Sequence, residues 1–291
     1  DGGMTVEQLL NDGWQFCKLP LGSTLEDVSN AALQAVDLPH DFLIENENDL
    51  YETTDAWYLR TLDVPESWCA SCVLVRFDGV HIVCTHHYGY TAFDVDLTSR
   101  LLVGRNTLAV HIRHQSPNSR WYSGAGIYRD VTLHVLPKRH IPLDGVYVTT
   151  THELESWTMT IDTELCGVKD NGVLTHVLLD CDVTVEAAGD HANAVMQVLS
   201  PKLWSPDAPN VYTLQTMLGN QVIRQNVGFR DLTFTTDCGL LVNGAPVKLH
   251  GVCLHHDLGC LGSAFHEKAM RRQLRAMRQM GVNALRTSHN P

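Results

Sequence analysis

The sequence has no long apolar run, no basic cluster outside one segment near residue 270, and helical periodicity in only one place. No stretch approaches the roughly 18 apolar residues that cross a bilayer, so we expect no transmembrane helix and no membrane partner. The formal net charge of -12 argues against nucleic acid as a partner. At 291 residues with 44% hydrophobic content, the chain is long enough for two or more globular domains.

A signal peptide is not indicated either, because residues 1–10 lack a basic region followed by an apolar stretch. The chain does not begin with Met, so a leader removed before Asp1 stays open. The nine cysteines are an odd number and are scattered, which is typical of reduced thiols. These observations predict a cytoplasmic protein.

The cysteines and histidines also do not indicate a redox centre or a metal site. Cys69 and Cys72 have the spacing of a redox dithiol, but they precede a predicted strand, whereas a redox pair needs a helix N-terminus. The sixteen histidines include no pair with the H-E-x-x-H spacing. Adjacent ones such as His255 and His256 point to opposite faces of a strand. We expect no metal and no cofactor in this chain.

Short strands are predicted over most of the sequence. Residues 1–137 are typical of an antiparallel β-sandwich, and residues 138–236 of an immunoglobulin-like sandwich. The predicted strands are 57–64, 72–77, 92–97, 107–113 and 131–135 in the first segment, and 146–151, 158–165, 173–179, 183–187 and 211–218 in the second.

A loop at residues 118–130 interrupts the first series of strands. It combines Trp121 and Tyr122 with hydroxyl groups, amide groups and glycines, a mixture that stacks on sugar rings and binds their hydroxyls. The alternative is that the loop covers the edge of the sandwich, with the two aromatic side chains as packing anchors.

Helical periodicity occurs only near the end of the sequence. Met270, Leu274 and Met277 lie on one face of a helix predicted over residues 266–280, with Ser263 as candidate N-cap and Gly281 as the stop. Apolar runs at 247–254 and 282–285 flank this helix. The pattern predicts a βαβ unit with parallel strands and a right-handed crossover.

Polar side chains follow both predicted strands of the βαβ unit. His255, His256 and Asp257 follow the first strand, and Arg286 and His289 follow the second. Ligands bind at the carboxyl ends of parallel strands, so these residues are candidates for a binding site. The alternative is that the histidines are solvated or cap the loops.

Many short motifs, in order along the whole chain, resemble those of glycoside hydrolase family two. They are Trp14, VDLPHD (36–41), AWY (56–58), RFDGV (76–80), YGYT (88–91), SGAGIYRD (123–130), LWSP (203–206), GFR (228–230), VNG (242–244), LHGV (249–252) and NALRTSH (283–289). Within that family, residues 114–124 and 254–259 look most like those of bacterial β-galactosidases.

The resemblance implies a multidomain, mainly β fold. Its expected parts are a jelly-roll-like β-sandwich at residues 1–137, an immunoglobulin-like β-sandwich at 138–236, and the first βαβ part of a truncated TIM (β/α)8 barrel at 237–291. The barrel strands that carry the family's catalytic groups come later than this βαβ part.

The implied activity is that of a retaining exo-glycosidase with one glutamate as acid/base and one as nucleophile. Both glutamates belong to later barrel strands, so no catalytic residue is expected in this chain, which alone should be inactive. The implied partner is a carbohydrate with terminal β-galactose, and the longer enzyme is expected to form a homo-oligomer, with a divalent metal left open. A β-glucuronidase, a β-mannosidase and a non-catalytic carbohydrate-binding or assembly module are the alternatives.

Residue roles are also implied by position. Arg286 and His289 match family residues that support the nucleophile and bind sugar hydroxyls, and His255 and Asp257 match a loop on the same face. Asn118 lies near the place where the family's first domain reaches into the sugar site.

The sequence departs from the family pattern at residues 81–87, because the family usually has a longer stretch at this position. A sandwich that loses a hairpin exposes a sheet edge, so we expect a less stable first domain.

Overall fold

The computed structural model describes residues 5–77, 85–119, 121–153, 156–168, 172–178, 181–187 and 189–288. Residues 78–84, which include most of the shortened stretch, lie outside these ranges. The described parts of Val6–Val135 and His250–Pro291 form one compact unit, and those of Leu136–Leu249 belong to another. The domain boundaries after residues 137 and 236 stay predictions. Within the described ranges, no helix has the length and apolarity needed to cross a membrane.

The first unit contains a β-sandwich of two four-stranded sheets, in the orders β1-β8-β5-β6 and β3-β2-β4-β7. The pairs β1–β8, β5–β6, β2–β3, β2–β4 and β4–β7 are antiparallel. Its elements are β1 (Val6–Leu9), β2 (Trp14–Leu19), α1 (Leu25–Val28), β3 (Gln34–Val36), β4 (Thr54–Val64), β5 (Cys72–Phe77), β6 (Phe93–Asp96), β7 (Gly104–His114) and β8 (Val131–Leu136).

Alternation along these strands creates the core between the two sheets. On β5, every second side chain is buried, and Val73, Val75 and Phe77 point inward. They belong to one apolar cluster with Trp14 and Tyr58 of the other sheet. The prediction of an antiparallel sandwich is therefore confirmed.

The second unit contains two further antiparallel sheets, in the orders β13-β10-β9 and β12-β11-β14-β15, as expected for an immunoglobulin-like sandwich. A three-stranded sheet follows, in the order β16-β17-β18. The strands are β9 (Val146–Glu153), β10 (Ser156–Glu164), β11 (Gly172–Leu178), β12 (Cys181–Ala187), β13 (His191–Leu199), β14 (Tyr212–Leu218), β15 (Gln221–Val227), β16 (Leu232–Thr235), β17 (Gly239–Val242) and β18 (Ala245–Pro246).

A polar pair lies inside this second sandwich. His176 points inward on β11 between Leu174 and Leu178, and all three side chains are fully buried. Its Nδ1 lies 2.9 Å from the Thr216 hydroxyl of β14. Within the described residues, its Nε2 is buried without a hydrogen-bond partner. Burial lowers the pKa of His176 to about 4, so the ring is neutral at pH 7.

The predicted βαβ unit is confirmed. It consists of β19 (Gly251–His255), α2 (Glu267–Gln279) and β20 (Ala284–Ser288), and the two strands are parallel, with Gly251 opposite Ala284 and His255 opposite Ser288. The first strand is shorter than predicted, because the Val247 amide bonds the Leu240 carbonyl and so extends the preceding hairpin.

The prediction that Ser263 caps α2 is wrong. The N-cap is His266, whose side chain makes no capping hydrogen bond. Ser263 is buried and bonds Asp41 instead, a residue of the sandwich. The predicted stop at Gly281 agrees with the structure, since its φ of +84° is the left-handed conformation that ends helices.

Candidate functional site

The parallel register of β19 and β20 brings their carboxyl-terminal side chains together. Cys253 lies opposite Arg286, and His255 lies opposite Ser288. Residues two apart on a strand share a face, so the Arg286 and Ser288 side chains lie on one side of β20. The Arg286 Nη1 lies 3.5 Å from the Ser288 Oγ and 3.7 Å from the Cys253 Sγ.

These contacts change the thiol chemistry of Cys253. Hydrogen bonds from Ser288 and Arg286 lower the pKa of Cys253 below its ordinary value, because they stabilise the thiolate. The Cys253 side chain is exposed in this chain. The prediction that Arg286 follows the second strand is wrong, because β20 continues to Ser288 and Arg286 is its middle residue. The Arg286 guanidinium is directed along β20 toward Ser288.

The loop at residues 118–130 contacts the loop that follows β19. The indole Nε1 of Trp121 donates to the Asp257 carboxylate at 3.0 Å, and the Trp121 ring lies 4.8 Å from the His255 ring at an interplanar angle of 32°. The His256 Nε2 donates to the Ser123 carbonyl at 2.9 Å. Side-chain contacts therefore hold the loop at residues 118–130 against the residues at the end of β19.

Trp121 is 50% exposed, whereas Tyr122 packs against the sandwich core. The packing-anchor interpretation thus holds for Tyr122 only. An indole that keeps half its surface in water while its N–H is bonded presents a fixed aromatic face. Such a face is suited to stacking on a sugar ring.

A buried carboxylate forms hydrogen bonds with both of these loops. Asp41 is 2% exposed, and its Oδ2 accepts hydrogen bonds from the Tyr122 hydroxyl at 2.6 Å and from the Ser263 amide and hydroxyl at 2.8 and 2.9 Å. Burial and the hydrogen bond to Asp41 raise the pKa of Tyr122, so the phenol keeps its proton and donates it. The sequence motif containing Asp41 gave no indication of this role.

Asn118 lines a cavity of about 430 Å³ in the sandwich. The His114 Nδ1 donates to the Glu52 carbonyl at 2.6 Å, so its Nε2 accepts from the Asn118 amide at 3.1 Å. This chain of bonds fixes the amide orientation. The other residues that line the cavity include Tyr90, Ser119, Ser123 and Tyr128.

The structure therefore brings His255 and Asp257 together around Trp121, and places Arg286 on the neighbouring strand. Asn118 precedes Trp121 by three positions in the same loop, with its amide bonded to His114. His289 lies outside the described residues. In the part of the chain that the structure describes, no group of three His, Cys, Asp or Glu side chains is arranged to hold a metal ion.

Comparison with known proteins gives matches to two family models. Residues 235–291 match the TIM barrel domain of glycosyl hydrolases family 2, and residues 140–230 match a second model described as glycosyl hydrolases family 2.

Individual relatives cover almost the whole chain. The β-galactosidase BoGH2A of Bacteroides ovatus is 33% identical over 89% of this chain and 35% of its own length. A putative β-glucuronidase of Formosa agariphila is 28% identical over 98% of this chain and 31% of its own length. The crystal structure of a β-glycosidase from Bacteroides vulgatus is 32% identical, with a TM-score of 0.85 over 99% of this chain and 42% of that one. The chain thus spans about a third of the length of these curated relatives.

Proposed function

Since this chain belongs to glycosyl hydrolase family 2, we propose that it is part of a retaining exo-glycosidase that removes terminal β-galactosyl groups. In this proposal the carboxyl ends of β19 and β20, with the Trp121 loop, form one side of the sugar site. The glutamates that act as acid/base and as nucleophile lie outside this chain.

The contact between Trp121 and Asp257 is the observation that carries the proposal. It joins a loop of the sandwich to the strand end where ligands bind in parallel α/β folds. A neutral sugar needs an aromatic face for its C–H groups and fixed polar groups for its hydroxyls. Trp121 supplies the first, and the Asp257 carboxylate and the Arg286 guanidinium supply acceptor and donor groups.

The proposed roles follow from the chemistry of each side chain. Asp257 accepts from sugar hydroxyls with the oxygen that the indole does not use. His255 supports the ring of Trp121 from one side, and Arg286 directs N–H groups to the region that a nucleophilic carboxylate occupies in the complete site. Asn118 and His289 complete the proposed set, His289 from the sequence alone.

A β-glucuronidase is the second candidate, because one relative that covers 98% of the chain carries that name. Glucuronate has a carboxylate where galactose has a hydroxymethyl group, so it requires a cationic partner in the site. The two proposals therefore differ in the charge of the preferred substrate.

The test is a panel of nitrophenyl glycosides assayed with the product of the gene that encodes this chain, including any flanking coding sequence. We expect the highest kcat/KM for the β-galactoside. A higher value for the β-glucuronide would replace the first candidate by the second, and no hydrolysis of any glycoside would reject both. Hydrolysis by the isolated chain at a comparable rate would contradict the proposed location of the glutamates.

Arg286→Ala tests the proposed site within that enzyme. We expect kcat/KM to fall by two or more orders of magnitude, which corresponds to about 3 kcal/mol of transition-state binding. Arg272→Ala, on the exposed surface of α2, is the matched control and should leave the kinetics unchanged. Unaltered kinetics in Arg286→Ala would remove this residue from the site.

A further inference from the structure

Asp41 accepts five hydrogen bonds from three separate segments. Its Oδ1 accepts from the backbone amides of Leu43 and Ala125, each at 3.1 Å. Its Oδ2 accepts from the Tyr122 hydroxyl and from both the amide and the hydroxyl of Ser263. A carboxylate has about four lone-pair positions, so the hydrogen-bond acceptor positions of this buried group are all occupied.

The two loops approach Asp41 so closely that glycine is needed in both. A Cβ added at Gly124 would lie 2.9 Å from the Asp41 Oδ2 and would also overlap Ser263. A Cβ added at Gly262 would overlap the Asp41 carboxylate. Both glycines have positive φ, +67° and +57°, which other residues adopt only with strain. The geometry of both loops is therefore adapted to this carboxylate.

The residues that bond Asp41 are linked to Trp121 and Asp257, since the Leu258 amide next to Asp257 donates to the Gly262 carbonyl next to Ser263 at 2.7 Å. Tyr122 follows Trp121 directly, and Ser263 belongs to the same loop as Asp257. Fixing Tyr122 and Ser263 on one oxygen atom therefore fixes the spacing between the indole and its carboxylate partner. We propose that Asp41 is a positioning residue that sets the Trp121–Asp257 contact, and, resting on the proposed function, thereby orients the aromatic face that binds the sugar.

Replacing the carboxylate of Asp41 by an amide, in Asp41→Asn, would reverse part of this pattern. The carbonyl oxygen of the amide accepts hydrogen bonds, but its NH₂ group only donates. Either orientation places the NH₂ against N–H or O–H groups that now donate to Asp41. Asp41→Asn therefore loosens at least one of the two loops while changing the side-chain volume very little.

The proposed experiment is ¹⁹F NMR of the chain labelled with 5-fluorotryptophan, with the Trp121 signal assigned by Trp121→Phe. Asp41→Asn should shift the Trp121 signal toward that of a solvent-exposed tryptophan and leave the signals of Trp14, Trp57 and Trp68 in place. Those three tryptophans belong to the same sandwich and report whether it remains folded.

Asp55→Asn is the matched control. Asp55 is another fully buried carboxylate of the sandwich, and it bonds the Gly22 and Ser23 amides on the outer side of β4. It alternates with Ala56 along the strand, so it does not face the core side on which Tyr58 lies. This variant should leave the Trp121 signal unshifted.

If Asp41→Asn disturbs all the tryptophan signals, the positioning role is tested with Ser263→Ala instead, because this substitution removes only the hydroxyl donor to Asp41. A shift confined to Trp121 in Ser263→Ala supports the positioning role. An unshifted Trp121 signal in Ser263→Ala, or in a folded Asp41→Asn variant, overturns it.

Titration with methyl β-D-galactoside separates this inference from the proposed function. It is done on the product of the gene that encodes this chain, including any flanking coding sequence, because this chain forms only one side of the proposed site. If the sugar moves the Trp121 signal of the unsubstituted chain but Asp41→Asn does not, the sugar site stands and the role of Asp41 falls. If Asp41→Asn moves the signal and the sugar does not, the positioning role stands and sugar binding at Trp121 falls.

Discussion

The buried histidine of the second sandwich predicts a specific loss of stability in weak acid. His176 is fully buried, and burial lowers its pKa to about 4 from an ordinary value of 6.5. The unfolded chain therefore binds a proton on this ring at a higher pH than the folded chain does. The contribution of the neutral ring to stability is complete above pH 6.5 and is lost as the pH falls toward 4.

The magnitude follows from proton linkage. Between pH 7 and pH 5 the loss should be about 2 kcal/mol, and over the full window roughly 3 kcal/mol. The comparison variant replaces both partners of the pair, His176→Leu with Thr216→Val, because a single substitution leaves the other group buried without its bond. Replacing both by apolar groups of similar size should be nearly neutral at pH 7.

The assay is urea unfolding at pH 7 and pH 5, followed by the ¹⁹F signal of 5-fluorotryptophan at Trp157, which is buried in this sandwich. Other titrating groups affect both proteins equally, so the difference between the two proteins isolates the histidine. We expect the free energy of unfolding of the variant, relative to that of the unsubstituted chain, to be about 2 kcal/mol higher at pH 5 than at pH 7. An equal difference at both pH values would refute the reasoning.

Three further predictions concern the first unit. Asp55→Asn should lower the free energy of unfolding by about 1–3 kcal/mol, as urea titration can measure, because it removes a fully buried carboxylate that accepts from the Gly22 and Ser23 amides and from the half-exposed Arg113. Hydrogen bonds from β20 lower the pKa of Cys253, so iodoacetamide should alkylate this thiol faster than the other exposed cysteines of the isolated chain. Arg286→Gln should slow the alkylation of Cys253, and peptide mass spectrometry measures both rates. Gly124→Ala should destabilise the chain by about 1–3 kcal/mol more than Gly13→Ala. Both glycines have positive φ, but of the two only Gly124 lacks space for a methyl group. Equal melting temperatures of the two variants would contradict this.

Local patterns in the sequence account for the elements that the prediction located well. The strand at Cys72–Phe77 alternates between core and solvent, and the prediction gave the same bounds. The helix was predicted over residues 266–280 and extends over Glu267–Gln279, because its apolar face and its glycine stop are encoded within a few turns. The strand at His191–Leu199 was not predicted. Its buried positions alternate, but two of them are alanines, which give a weak apolar signal.

The contacts that assemble the candidate site are not local, and the prediction missed them for that reason. Ser263 precedes the helix at a position that suits a capping residue, but its partner is 222 positions away in the sequence. No local pattern distinguishes a serine that caps a helix from one that bonds a distant carboxylate. The hydrogen-bond partner of the Trp121 indole, Asp257, is likewise 136 positions away. His255, Asp257 and Arg286 were found because they lie at or near the ends of predicted strands, a feature that the sequence does show, although His255 and Arg286 prove to be strand residues.

The central claim is that the Trp121 loop and the strand end at Asp257 act as one sugar site. A double-mutant cycle tests it most directly, with kcat/KM for nitrophenyl β-galactoside measured for the product of the gene that encodes this chain, including any flanking coding sequence, and for its Trp121→Phe, Asp257→Ala and double variants. Phenylalanine keeps an aromatic ring but removes the N–H that Asp257 binds. We expect a coupling energy of about 1 kcal/mol or more, because the two side chains share one hydrogen bond. Two single substitutions that each lower kcat/KM and add without coupling would contradict the claim, as would two that leave it unchanged.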